Sequence, residues 1–340
     1  MRLVHANRFG ISVPCRSVSL QDALELALAA ESWGYAEAWT DEVDAVDGLT
    51  PLAWLAGKST ALTLGVGVVP VSTRPAALLA LSAAALQQLS GGRFILGLGA
   101  STPNVVEEWM GLPRSPRVSA LEETIDLLRL VFTGEKVDFP GENVHMSGFR
   151  LRSGPCDVPL YIGGHGRRTL GIAGAVADGI VLGNVSASWI PRLLDDVGAG
   201  ADAAGRERDE VDVVCRVVVG VNEDREALDL DFRRTIVSYA TSTAYRDFFS
   251  RMGWAEAMTD IARAWDERNG ARAVAAVPKE LVEELFVVGS PEACAARLRE
   301  FMDAGVKSLL VHPTCASTDP EARATRMHAA LRDLGTALIP

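Results

Sequence analysis

Cysteine is scarce in this 340-residue chain. The five cysteines, Cys15, Cys156, Cys215, Cys294 and Cys315, are scattered and odd in number, and none stands in a C-x-x-C pair. That argues against a disulfide framework and fits a reducing cytoplasm, the expected location. Basic charge is in deficit: 33 Lys plus Arg against 44 Asp plus Glu leave a net charge of -11. A nucleic-acid surface needs a basic patch, so no nucleic-acid partner is expected. Long apolar runs are missing too. Leu62–Val71 and Pro75–Leu86 fall short of the roughly 18 residues that a membrane span needs. The opening MRLVHANRFGISVP holds no apolar run long enough for a signal peptide, so no membrane partner is expected either.

Several catalytic signatures are also absent. There is no H-E-x-x-H and no clustered His/Asp spacing, so no metal site is expected. No G-x-S-x-G elbow occurs, which argues against an α/β-hydrolase. Gly97-x-Gly99 follows a strand pattern, but the third glycine of a dinucleotide fingerprint is lacking.

What is present is an ordinary globular composition, 48% hydrophobic and 23% charged, in a chain long enough to bury a large core. Short β-branched runs alternate with longer helical patterns. The pattern predicts eight strands, near Leu3–Val13, Ala36–Trp39, Leu62–Val68, Phe94–Leu98, Leu160–Ile162, Ile180–Leu182, Val211–Val219 and Ser308–Val311. Amphipathic segments lie between them, at Ser19–Ser32, Pro75–Leu89, Val118–Phe132, Thr169–Val176 and Pro291–Ala304. Ser19 and Ser290 are the predicted N-caps, the second followed by proline at the first helical position. Strand–helix alternation predicts parallel strands with helical crossovers. Eight units favour the α/β class and a closed (β/α)₈ TIM barrel over an open doubly wound sheet. Gly134–Pro155 reads as a hairpin inserted after the fourth helix. Asn222–Val277 reads as a helical insertion between strands seven and eight. With no linker or repeat, residues 1–340 are expected to form a single domain.

In such a barrel the active site lies at the C-terminal ends of the strands. Thr40-Asp41-Glu42 follows the second strand, Gly97-Leu98-Gly99-Ala100-Ser101 spans the end of the fourth, and Gly163-Gly164-His165-Gly166-Arg167-Arg168 follows the fifth. Glycine admits close backbone approach, and free amides at a helix start attract anions. A cofactor phosphate would suit the fourth and fifth loops, although tight turns alone would use the same residues. Asp41 and Glu42 form an acidic pair: one could hydrogen-bond a cofactor ring and the other serve as acid or base. Equally, Asp41 could cap a helix and Glu42 be solvated. His312 ends the eighth strand, where it could act as an acid or bond a neighbouring loop. His5 lies within the first strand; His145 and His328 read as surface residues.

At these same loops the sequence resembles the luciferase-like family, and within it the deazaflavin-dependent branch that includes the methylenetetrahydromethanopterin reductases. The stretches that carry the resemblance are AEAWTDE at 36–42, LTLGVGVVPVSTRPA at 62–76, LQQLSGGRFILGLGAS at 86–101, VPLYIGGHG at 158–166, ADGIVLGN at 177–184 and LFVVGSPEACAARLREFMDAGVKSLLVHP at 285–313. The resemblance implies a homodimeric barrel with coenzyme F420 at its C-terminal mouth and a small-molecule substrate. It implies a cis peptide joining Gly67 and Val68, whose bulge backs the deazaflavin ring. It implies that Asp41 contacts the cofactor, and that Ala100, Ser101, Gly164, His165 and Gly166 belong to loops that hold its phosphate and side arm. Relatives often carry Asp-His after the second strand, whereas this chain has Asp41-Glu42. Glu42 is therefore the first candidate acid and His312 the second. No Lys/Arg cluster suited to a sugar phosphate is evident. The expected activity is hydride transfer to or from the deazaflavin. The alternatives are an FMN-dependent monooxygenase on the same fold, or a barrel that binds cofactor without turnover.

Overall fold

The computed structural model describes residues 7–13, 18–113 and 117–339. Eight parallel strands close into a barrel: β1 (Arg8–Ser12), β2 (Glu37–Thr40), β3 (Thr63–Pro70), β4 (Phe94–Gly99), β7 (Leu160–Gly163), β8 (Gly179–Gly183), β9 (Asp212–Val221) and β11 (Ser308–Pro313). Closure comes from the pairing of β11 with β1, Arg8 beside Ser308 and Ile11 beside Val311. The antiparallel pair β5 (Lys136–Pro140) and β6 (His145–Arg150) is the hairpin expected after the fourth barrel helix. His5 lies outside the described residues.

Helices pack around the barrel. Those on the way round are α1 (Leu20–Glu31), α2 (Thr50–Ala56), α3 (Ala76–Leu89), α4 (Arg117–Phe132), α5 (Arg167–Val176) and α6 (Ile190–Ala203). The insertion after β9 holds α7 (Arg225–Ala240), α8 (Thr243–Phe249), α9 (Ala255–Asp266), α10 (Gly270–Ala275) and α11 (Lys279–Leu285). Then follow β10 (Phe286–Gly289), α12 (Pro291–Asp303) and, after β11, α13 (Pro320–Leu338). The hydroxyls of Ser19 and Ser290 accept from Asp22 N and Ala293 N, as the cap reading expects. Among the described residues no helix is long and apolar enough to cross a membrane.

One strand, β10, was not expected. β9 runs on to Val221, beyond the point where β8 ends at Gly183 beside Arg216. The last four residues of β9, Val218–Val221, pair instead with Phe286–Gly289. The segment is four residues long and leads straight into the α12 cap, so it carries little strand periodicity of its own.

The barrel interior is layered by the period-2 alternation of its strands. The middle layer is Trp39, Ile95, Tyr161, Val181, Val214 and Leu310. Room for Trp39 comes from Gly65, where an added Cβ would lie 2.3 Å from the indole. Below this layer is a polar floor. Glu37, wholly buried, accepts from Arg8 Nε at 2.5 Å, Trp39 Nε1 at 2.7 Å and Ser308 Oγ at 2.8 Å. Arg8 also pairs with Asp212, which accepts the Tyr161 hydroxyl at 2.6 Å. Burial alone would lower the Arg8 pKa, but Glu37 and Asp212 outweigh it and raise it, so the guanidinium stays charged.

Outside the barrel, α5 and α6 approach backbone to backbone. A Cβ at Gly174 would lie 1.9 Å from the Val197 carbonyl oxygen, and one at Gly200 would lie 2.0 Å from that of Gly171. A Cβ at Gly171 itself would meet nothing within 4 Å. The two glycines of α5 should therefore respond oppositely to alanine. Gly171→Ala should be neutral or stabilising by up to about 1 kcal/mol from helix propensity. Gly174→Ala should destabilise by about 1–3 kcal/mol, as overpacking does. Urea denaturation of both variants checks this; equal effects would mean the helices are not in backbone contact.

Candidate functional site

The same alternation continues upward from the middle layer. Two residues past Trp39, Val214 and Leu310 come Asp41, Arg216 and His312, all facing the C-terminal mouth. On β1 the corresponding place is Ser12, and on the remaining strands the places are glycines: Gly67 on β3, Gly97 and Gly99 on β4, Gly163 on β7 and Gly183 on β8. The mouth is thus polar on the β2, β9 and β11 side and bare of side chains opposite.

The bare side has an apolar floor made by Val68. The Gly67–Val68 peptide is cis, and the β3–β4 register shifts between Val66 and Val69. A Cβ at Gly99 would lie 2.4 Å from the Val68 side chain, and one at Gly163 would lie 2.6 Å from it. Val68 therefore occupies the space that two neighbouring strands vacate by carrying glycine. Ala100 and Ser101 follow directly, Ser101 in the left-handed region at φ 58.

The acidic pair separates. Asp41 accepts a charged hydrogen bond from Arg216 Nη1. Glu42 turns away and takes Arg74 through both oxygens, at 3.0 Å from Nε and 2.6 Å from Nη2. It also accepts the Gly48 amide at 2.9 Å, while Thr40 Oγ1 donates to the Gly48 carbonyl at 2.5 Å. These contacts clamp the loop that follows β2. Neither alternative reading fits this arrangement: Glu42 is not solvated, and the carboxylate that accepts amides at the start of α2 is that of Asp47, from Leu49 N at 3.1 Å and Thr50 N at 2.9 Å, ahead of the N-cap Leu49. Both Glu42 oxygens are thus engaged as acceptors, by a guanidinium and an amide.

On the β7 side, Gly164 lies where a Cβ would meet Thr169 at 2.9 Å. Gly166 is the N-cap of α5 and offers no side-chain cap. His165 Nε2 lies 2.7 Å from the Gly183 carbonyl, an acceptor, so Nε2 carries the hydrogen. Its ring stacks on Phe248 of α8 at 4.2 Å, and its carbonyl accepts Arg251 Nη2 at 2.7 Å. The helical insertion thereby closes over this loop and brings Tyr239 and Tyr245, whose rings lie 4.7 Å apart, towards Arg216. Burial raises the Tyr245 phenol well above its ordinary value, so it is neutral.

Arg216, Arg74 and Tyr245 escaped the sequence reading. Arg216 left a signal: it is the one cation inside the apolar strand DVVCRVVVGV, at the inward parity of Val214. Its partner Asp41 is 175 residues away.

A family model described as luciferase-like monooxygenase matches residues 4–308. The chain belongs to this luciferase-like enzyme family. It is 30% identical over 287 residues to the 5,10-methylenetetrahydromethanopterin reductase of Methanolobus tindarius, covering 84% of this chain and 87% of that protein. It is 26% identical over 326 residues to the F420-dependent glucose-6-phosphate dehydrogenase of Nakamurella multipartita, covering 90% of each. The solved coenzyme F420-dependent tetrahydromethanopterin reductase of Methanopyrus kandleri shares the fold, with a TM-score of 0.82 at 22% identity over 99% of both chains.

Burial, opposed by the bond to Gly183 and aided by Arg251, pushes the His165 imidazole down to about 4. An unfolded histidine titrates near about 6.5. Between those values the unfolded chain binds a proton that the folded one does not. The contribution of neutral His165 is therefore present above pH about 6.5 and lost as pH falls towards about 4. Stability measured across this window should fall more steeply, by about 1–3 kcal/mol, in the wild type than in His165→Gln. Parallel slopes would show that His165 is not held neutral.

Proposed function

We propose that this chain is a coenzyme F420-dependent oxidoreductase that moves hydride between the deazaflavin and a small organic substrate. The observation that carries the reading is the glycine-cleared mouth: the Val68 floor, with Gly67, Gly99, Gly163 and Gly183 around it, suits a flat ring system. The relatives named above that are F420-dependent support the choice of ring.

The residues present fit such a group. Asp41 would accept a hydrogen bond from the ring, its orientation fixed by Arg216. Ser101, Gly164 and His165 would line the side arm. The first amides of α5, behind Gly166, would meet its phosphate, since helix N-termini carry partial positive charge. When bound, the deazaflavin supplies the hydride chemistry, and the protein supplies orientation and a proton. For the proton we favour His312, which faces the mouth, over Glu42, which is spent on Arg74 and Gly48. Glu42 then serves by holding the loop that carries Asp41. An open mouth counts against a barrel without turnover. A homodimer in the cytoplasm completes the reading. The outward apolar side chains Leu78, Leu81 and Leu89 of α3 and Leu130 of α4 would suit a subunit contact.

Calorimetric titration tests the cofactor. Coenzyme F420 should bind in the micromolar range or tighter, about -8 kcal/mol. FMN binding at least tenfold tighter would turn the reading into the monooxygenase one. Asp41→Ala should weaken F420 binding by about 1–3 kcal/mol, the range for a charged hydrogen bond. His312→Gln should leave binding nearly unchanged and slow turnover by roughly 10²-fold or more, as expected for a lost general acid. Full turnover in His312→Gln would move the acid elsewhere.

A further inference from the structure

Arg216 has more hydrogen-bonding capacity than its surroundings use. A guanidinium has five N–H donors in a planar fork. Among the described residues, the Nη1 bond to Asp41 is the one hydrogen bond this guanidinium makes. The face formed by Nε and Nη2 is left over, and that face matches a carboxylate with two parallel bonds. The Arg216 side chain as a whole is 23% exposed. Gly183, beside it on β8, leaves the approach to Nε clear, since even a Cβ there would stay 4.0 Å away. Asp41 more than offsets burial, which alone would lower the Arg216 pKa, and keeps the group charged. The neutral phenol of Tyr245 adds no competing charge.

We propose that Arg216 selects the substrate, and that the substrate carries a carboxylate that docks on the free Nε/Nη2 face. This rests on the reading of the mouth as the cofactor and substrate site. Arg216 would then bridge two carboxylates, that of Asp41 on one side and that of the substrate on the other. A cationic substrate would meet like charge at the same place.

The test uses two probes of similar size and opposite charge, benzoate and benzylammonium. Both are titrated calorimetrically into the protein as purified and into the protein loaded with coenzyme F420. Benzoate should bind the wild type, and Arg216→Gln should weaken it tenfold or more. Asp41→Asn, which removes the competing carboxylate, should tighten benzoate severalfold. Benzylammonium should bind more weakly than benzoate to the wild type and gain in Arg216→Gln. Because the two variants move benzoate in opposite directions, a failure of Arg216→Gln to fold leaves Asp41→Asn to decide. Benzoate affinity unchanged in both variants, or benzylammonium preferred by the wild type, overturns the proposal. If F420 fails to bind at all, the cofactor reading falls, while the titrations without cofactor still decide the role of Arg216.

Discussion

A carboxylate with no exposure to water must be satisfied by protein donors or it will not stay charged. Glu37 is such a group, and its three donors come from β1, β2 and β11. Arg8 extends the network to Asp212 on β9, and Asp212 to Tyr161 on β7. Five of the eight barrel strands are thus tied to one buried charge cluster. Removing one partner would leave another uncompensated, a loss of about 3–5 kcal/mol by analogy with other buried pairs. Slipping any of these strands by one residue would turn its floor group outwards.

That register propagates. Side chains recur on one face every second residue, so what the floor decides at Glu37, Asp212 and Ser308 it decides again at Asp41, Arg216 and His312, four residues further up each strand. The intervening layer, Trp39, Val214 and Leu310, is apolar and closely packed. It separates the two polar layers and keeps water from joining them. Floor and mouth use similar chemistry, carboxylates against guanidinium groups. They differ in completeness: Arg8 engages two carboxylates, whereas Arg216 engages one.

This contrast explains how much was legible beforehand. The barrel, the hairpin and the helical insertion were readable because they rest on local periodicity and caps. The cis peptide joining Gly67 and Val68 was readable from family resemblance. The partners of Asp41 and Glu42 were not, because Arg216 and Arg74 lie far along the chain. Strand parity says only that two adjacent residues must point apart. The short β10 was missed for a related reason: its pairing is created by β9 outlasting β8, a property of neither segment alone.

The helical insertion gains its meaning from the same geometry. At its root, β10 on the extension of β9 secures the return of the chain to the barrel. At its tip, Phe248 stacks on His165 and Arg251 bonds the His165 carbonyl. Between these two anchors it presents Tyr239 and Tyr245 to Arg216. A wall held at both ends cannot retreat from the guanidinium without breaking one anchor. On the opposite side the loop bearing Asp41 is clamped by Glu42, Arg74 and Gly48. Arg216 is therefore confined between two braced elements, and a ligand that draws on its free face must also change what Asp41 feels. Any group bound to Asp41 is then coupled to any group bound to Arg216, and the coupling is reciprocal. Cofactor and substrate would meet through that one ion pair.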